Sequence, residues 1–121
     1  MERLFKEGTF SIRACSRKKY LGWSGGVEAV TVTAINVGTE WETSLEGCEA
    51  VVHLAAKMHE MRNQDADTLL EFRRINVEGT LNLAKQAADC GVRRFVFLSS
   101  VKVHGESTMP DQPFTMLGPP N

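Results

Sequence analysis

Ala50-Val51-Val52-His53-Leu54-Ala55-Ala56 is a nearly continuous apolar run. A strand with one wet face alternates apolar and polar residues, so an unbroken run suits a strand covered on both faces, as in a parallel sheet. C-terminal to it, Thr68-Leu69-Leu70-Glu71 has the form of a capping box. Leu69, Phe72, Ile75, Leu81, Ala84, Ala87 and Ala88 then trace a helical face up to Cys90-Gly91. Gly79 within that helix costs about 1 kcal/mol relative to Ala, which a close approach by neighbouring backbone would explain. Arg93-Arg94-Phe95-Val96-Phe97-Leu98 reads as the next buried strand, with Ser99-Ser100 just past its carboxyl end. From Met109 onward, Pro110, Pro113, Gly118, Pro119 and Pro120 give an irregular tail.

N-terminal to the opening run, residues 39–45 form a short helix candidate with Thr39 as N-cap, Glu42 three residues on, and Gly47 as its end. Residues 27–35 hold the β-branched series Val27, Val30, Thr31, Val32, Thr33 and Ile35, a strand. Residues 17–26 read as a loop, and residues 10–15 alternate as a short strand does. Met1 to Glu7 reads as the tail of a helix stopped at Gly8. Strands that alternate with helices predict an α/β fold with a doubly wound parallel sheet over residues 1–108, followed by the tail 109–121. Ligands of such sheets gather outside the carboxyl ends of the strands. Ala34-Ile35, Leu54-Ala55-Ala56 and Ser99-Ser100 all fall there.

The bulk properties narrow the partners. A chain of 121 residues, 42% hydrophobic and 24% charged, is an ordinary single globular domain. Its formal charge of -1 argues against nucleic acid or an anionic membrane as partner. Neither a bilayer-spanning run nor a signal-peptide core is evident. Three cysteines with no CxxC point to reduced thiols in the cytoplasm, with Cys15 and Cys48 in packing roles. His53, His59 and His104 lack metal-ligand spacing and are expected in structural or surface roles. Trp41 is expected to pack, and Arg73-Arg74 and Arg93-Arg94 to be solvated.

Three stretches carry a family resemblance. His53-Leu54-Ala55-Ala56 resembles the HLAA segment of extended short-chain dehydrogenases/reductases. Asn76-Val77-Glu78-Gly79-Thr80 resembles their NVxGT segment, and residues 95–105 resemble their strand-plus-serine segment. Together they are similar to the NAD(P)-dependent epimerase/dehydratase family, and resemble in particular its nucleotide-sugar epimerases and 4-keto reductases, which act on UDP-sugars. The resemblance implies a Rossmann-type sheet and hydride transfer at a sugar carbon through NAD or NADP. It implies Ser100 as the serine that hydrogen-bonds the substrate oxygen, with Ser99 toward the nicotinamide. Ala55 and Ala56 would form the ribose edge, Leu54 before them would also bind the cofactor, Asn76 would hold main-chain groups or a water, and Ile35 would pack on adenine.

The sequence also departs from that pattern. It contains neither the family's GxxGxxG phosphate loop nor its catalytic YxxxK; Gly22, Gly25 and Gly26 have the wrong spacing, and Tyr20 has no lysine four residues on. The expectation is a chain truncated at both ends that lacks the first strand and the C-terminal part, binds cofactor weakly or not at all, and is inactive alone. Ser16-Arg17 replaces the usual acidic residue after the second strand: Arg17 suits a 2′-phosphate, and a solvated basic loop is the other reading. Ala34 stands at a common aspartate position and His104 at a usual tyrosine. In the family the first strand lies between the second and the fourth, so its absence would leave an unpaired strand edge. A non-catalytic module that self-associates as a homodimer through that edge is the alternative function.

Overall fold

The computed structural model describes residues 10–18, 26–57, 66–105, 107–108 and 111–115. Among the described residues four strands form two separate parallel pairs. β1 (Ile12–Ser16) pairs with β2 (Val27–Thr31), Ile12 opposite Val27 and Ser16 opposite Thr31. β3 (Ala50–His53) pairs with β4 (Arg94–Phe97), Ala50 opposite Arg94 and His53 opposite Phe97. The short helix α1 (Glu42–Leu45) links the two pairs. A longer helix joins β3 to β4: α2 (Ala66–Phe72) runs into a π-helical stretch (Arg73–Gly79) and on into α3 (Thr80–Asp89). A 3-10 turn (Val101–His104) follows β4. The α/β class with parallel strands is as expected from the sequence, but the sheet is divided into two two-stranded sheets.

One core joins the two sheets. Val32, Trp41, Leu45, Leu83 and Ala87 are buried together, with Val30, Ile35, Val51, Cys90, Val92 and Phe95 packed against them. Helix α3 thus lies across both sheets, which their main-chain hydrogen bonds leave separate. Arg13 adds a polar tie: its Nη1 donates to Ser44 O (3.0 Å) and Glu46 O (2.9 Å), and its Nε pairs with Glu28 (2.8 Å).

Several local expectations are corrected. Among the described residues the run at residues 50–56 is covered on one face: Val51 and Phe95 pack against the core that includes Leu83 and Ala87 of α3, whereas Val52, Leu54, Val96 and Leu98 are each more than half exposed. Thr39 does not cap α1; that position belongs to Trp41, and the Thr39 hydroxyl donates instead to Ala34 O at 3.0 Å. Thr68 lies within α2, which begins at Ala66, so Thr68 is no N-cap. In α3 the inward residues are Leu83 and Ala87, whereas Leu81 and Ala88 are exposed. Residues two apart point to opposite sides of a helix, so Leu81 cannot share the face of Leu83. Cys15 is exposed rather than packed; all three cysteines are free. Gly47 and Gly91 end their helices with φ of 71° and 78°, a left-handed conformation that glycine adopts without strain. The expected helix at Met1 to Glu7 lies outside the described residues, as do Tyr20, Trp23, His59 and most of the proline-rich tail.

Candidate functional site

At the carboxyl ends of β1, β2 and β3 the chain forms a cleft of about 980 Å³. Arg17 enters it from the end of β1, Thr33 to Asn36 from the segment after β2, and Leu54 to Lys57 from the segment after β3. The helix closes the far side with Thr68, Glu71, Phe72, Arg74 and Ile75. Five residues singled out from the sequence, Arg17, Ile35, Leu54, Ala55 and Ala56, therefore share one cleft. Trp41, by contrast, is core packing, 4% exposed.

The wall after β2 is held from α3. Asn82 and Gln86 lie one turn apart on that helix. Asn82 Nδ2 donates to Asn36 O (3.0 Å) and Thr39 O (2.8 Å), while Gln86 Nε2 donates to Thr39 O (2.9 Å). Gln86 Oε1 accepts from Trp41 N at 2.7 Å. Within the segment, Asn36 N donates to Thr39 Oγ1 (3.1 Å) and Gly38 N to Asn36 Oδ1 (2.8 Å). Gly79, on the same side of the helix, touches the segment directly: a Cβ there would meet Ile35 Cγ2 and Ile35 O at 3.0 Å. The close approach expected at this glycine is thus to Ile35, whose side chain and backbone both line up against the helix.

The wall after β3 is held by Asn76. Its Oδ1 accepts from Lys57 N (2.8 Å) and its Nδ2 donates to Lys57 O (2.9 Å), so one amide replaces a strand partner for that residue. The Lys57 ammonium pairs with Glu71 and lies 5.7 Å from the centre of the Phe72 ring. Asn76 sits in the π-helical stretch, a geometry found often at functional sites. Just before this wall, His53 is buried with Nε2 3.0 Å from Thr80 Oγ1, and it stacks on Phe97 at 5.7 Å. Burial lowers its pKa, because the charged imidazolium loses hydration there.

Ser99 and Ser100 lie apart from these residues. They line a second hollow of about 370 Å³ with Val101, Val103, His104, Phe114 and Thr115. Ser100 Oγ accepts from Lys102 N at 3.2 Å and caps the 3-10 turn, which leaves its hydroxyl hydrogen available to donate. His104 packs 5.8 Å from the Phe114 ring. Among the described residues no group of three or more His, Cys, Asp or Glu could hold a metal ion.

Sequence reasoning missed Lys57, Glu71 and Arg74 in the cleft, and the Asn82–Gln86 clamp. The clamp has a visible signal, two amides at i and i+4 on a helix that is otherwise packed; the paired Lys57 and Glu71 have none, since they stand fourteen residues apart in the sequence.

The profile of the NAD dependent epimerase/dehydratase family matches residues 1–121. The chain is 49% identical over 80 residues to UDP-glucose 4-epimerase from Vibrio cholerae, a stretch that is 66% of this chain and 24% of that protein. Its fold is similar to that of a short-chain dehydrogenase/reductase superfamily protein from Agrobacterium tumefaciens with bound NAD. The TM-score is 0.75 at 30% identity, over 99% of this chain and 34% of the other. The chain thus spans about a quarter of the curated relative and a third of the solved one.

Proposed function

Because the chain belongs to the NAD dependent epimerase/dehydratase family, we propose that its cleft is the adenosine half of a nicotinamide-cofactor site in an enzyme acting on nucleotide sugars of the UDP-sugar class. The observation that carries this reading is the meeting of Arg17, Ile35, Leu54, Ala55 and Ala56 at the carboxyl ends of three parallel strands. The residues fit the group. The cleft volume falls within the roughly 300–1,000 Å³ of small-molecule sites. Ala55 and Ala56 present only methyl groups, so a ribose can approach the backbone there. Ile35, backed by Gly79, offers an apolar surface to adenine. When bound, the cofactor supplies hydride transfer at its nicotinamide. The chain's own residues bind and orient: Asn76 fixes the main chain at Lys57, and Ser100 donates its hydroxyl hydrogen to a substrate oxygen.

The 121 residues contain neither GxxGxxG nor YxxxK, the phosphate cradle and the proton-transfer pair on which the family reading relies. The chain alone is therefore proposed to hold the cofactor weakly, by its adenosine end, and to complete no turnover. Its free cysteines suit a reducing compartment, the cytoplasm. Ligand-detected NMR with NAD tests the reading. Saturation is expected on the adenine protons and not on those of nicotinamide. Equal saturation at both ends, or saturable micromolar binding by calorimetry, would overturn it.

A second reading, a self-associating module, is favoured by a separate observation. Among the described residues, β1 and β3 each pair on one side only, and Val52, Leu54, Val96 and Leu98 make one exposed apolar face. Open edges and apolar patches of this kind recruit a partner strand or surface. A homodimer would close both, and a clean monomer by light scattering at high concentration would rule it out.

A further inference from the structure

Resting on the reading of the cleft as an adenosine site, we propose that Asn82 is a positioning residue for adenine, one that shapes the cleft wall from behind before any ligand arrives. Residues 33–41 belong to neither strand nor helix. Thr33 to Asn36 nevertheless line the cleft, and Ile35 among them is the surface assigned to adenine. An irregular segment left loose would have to be ordered by its ligand, which weakens binding. Asn82 does not line the cleft; it removes that cost from the helix behind.

Three observations carry this. First, both hydrogens of Asn82 Nδ2 go to the segment, to Asn36 O and Thr39 O, while its Oδ1 accepts from Gln86 Nε2 at 2.9 Å. Gln86 completes the set at Thr39 O and Trp41 N. An Asn82 amide turned over would set its oxygen against two carbonyl oxygens, so the network admits one orientation. Second, Asn36 adjoins Ile35, and Gly79 lets Ile35 lie against the same helix three residues before Asn82. The bond to Asn36 O and the Ile35–Gly79 contact thus grip the adenine surface at two neighbouring points. Third, neither carbonyl depends on Asn82 alone. Asn36 O also accepts from Thr39 N at 3.2 Å, and Thr39 O from Gln86. Loss of the Asn82 amide therefore orphans no main-chain acceptor: the fold persists, and what is lost is the fixed position of the segment. The same helix holds the opposite wall through Asn76 and Lys57. An Asn82 variant thus loosens one wall and leaves the other as an internal reference.

The test uses the 121-residue chain with 5′-AMP, a probe that needs neither the phosphate loop nor the nicotinamide pocket. In the unaltered chain the amides of Thr39 and Trp41 are expected to exchange slowly before 5′-AMP is added, a measurement that needs no variant. Asn82→Ala is expected to speed exchange at Thr39 and to weaken 5′-AMP about fivefold, the worth of one net hydrogen bond. In that variant saturation transfer should fall on adenine H2 relative to ribose H1′, because Ala55 and Ala56 stay in place. A general loss of stability would lower both alike. Asn82→Asp keeps the shape and the acceptor oxygen but not the donors, so it should bind no better than Asn82→Ala. Recovery of affinity in Asn82→Asp would assign the position a space-filling role and overturn the proposal. So would protection of Thr39 and Trp41 that arises only with 5′-AMP, or an affinity and saturation pattern unchanged in Asn82→Ala. Each of these outcomes leaves the adenosine site standing. Failure of 5′-AMP to bind the unaltered chain would overturn the site itself, and this inference with it.

Discussion

The two faces of the β3–β4 sheet have nearly the same composition and opposite environments. On one face Val51 and Phe95 pack against Leu83 and Ala87 of α3, and His53 is buried with them. On the other, Val52, Leu54, Val96 and Leu98 stand in solvent. Both faces read as core in the sequence, and among the described residues one of them has a helix against it. An apolar side chain therefore records that a surface suits being covered, and does not say what covers it. The covered face also carries the functional geometry, since Gly79, at the end of the π-helical stretch, and Asn82 and Gln86 of α3 hold the cleft wall.

The sharpest way to break the contrast is Leu83→Ala. It removes a buried side chain, 6% exposed, from the centre of the covered face. A loss of about 2–5 kcal/mol is expected in denaturant unfolding, and unaltered stability would mean that α3 does not hold the sheets together. Gly79→Ala comes next. The added methyl would meet Ile35 backbone at 3.0 Å, tighter than most Cβ contacts, so Ile35 would have to give way by a few tenths of an ångström. Overpacking of about 1–3 kcal/mol is set against about 1 kcal/mol of improved helix propensity. A small net destabilisation is therefore expected, with chemical-shift changes concentrated at residues 34–36; a gain in stability would show that the approach is slack.

His53 gives the covered face a pH dependence. Its pKa is lowered by burial in the folded chain, so the unfolded chain binds the proton more readily. Stability should be full above the ordinary imidazole pKa of about 6.5 and fall as the pH drops toward the lowered folded value. Unfolding midpoints measured across that window should lose this slope in His53→Gln; an unchanged slope would assign it to another group. The smallest effect belongs to the bare face. Val96→Ser should change unfolding by no more than about 0.5 kcal/mol, while under the self-association reading it shifts light-scattering mass toward the monomer. Strong destabilisation of the monomer would mean that this face is covered after all.

Much of the fold was legible because its signals are local. The strand at Ala50, the glycine stops at Gly47 and Gly91, and the place of Ser99-Ser100 after β4 follow from apolar runs and turn residues. The close approach at Gly79 was legible too, since an interior glycine wants a steric reason. What stayed hidden depends on partners far apart in sequence. Thr39 looked like a cap because a cap is the commonest use of such a residue, yet its hydroxyl donates to Ala34 O and accepts from Asn36 N. Of the site, five of the expected residues meet in one cleft, whereas Ser99 and Ser100 line another hollow. Arg74 and the Lys57–Glu71 pair could not be seen, because a charge on a helix face reads the same whether it looks at solvent or at a cleft.

The π-helical stretch Arg73–Gly79 makes chain length a separate variable from chemistry. Each α-helical residue advances the helix by about 100°, and a π turn takes in one residue more than an α turn. The phase at which α3 meets the sheets is thus stored as a residue count between Phe72 and Thr80. Substitutions there exchange single contacts, such as that of Asn76 with Lys57. An insertion or deletion re-aims Gly79, Asn82, Leu83, Gln86 and Ala87 together, so core and cleft wall must drift jointly or not at all.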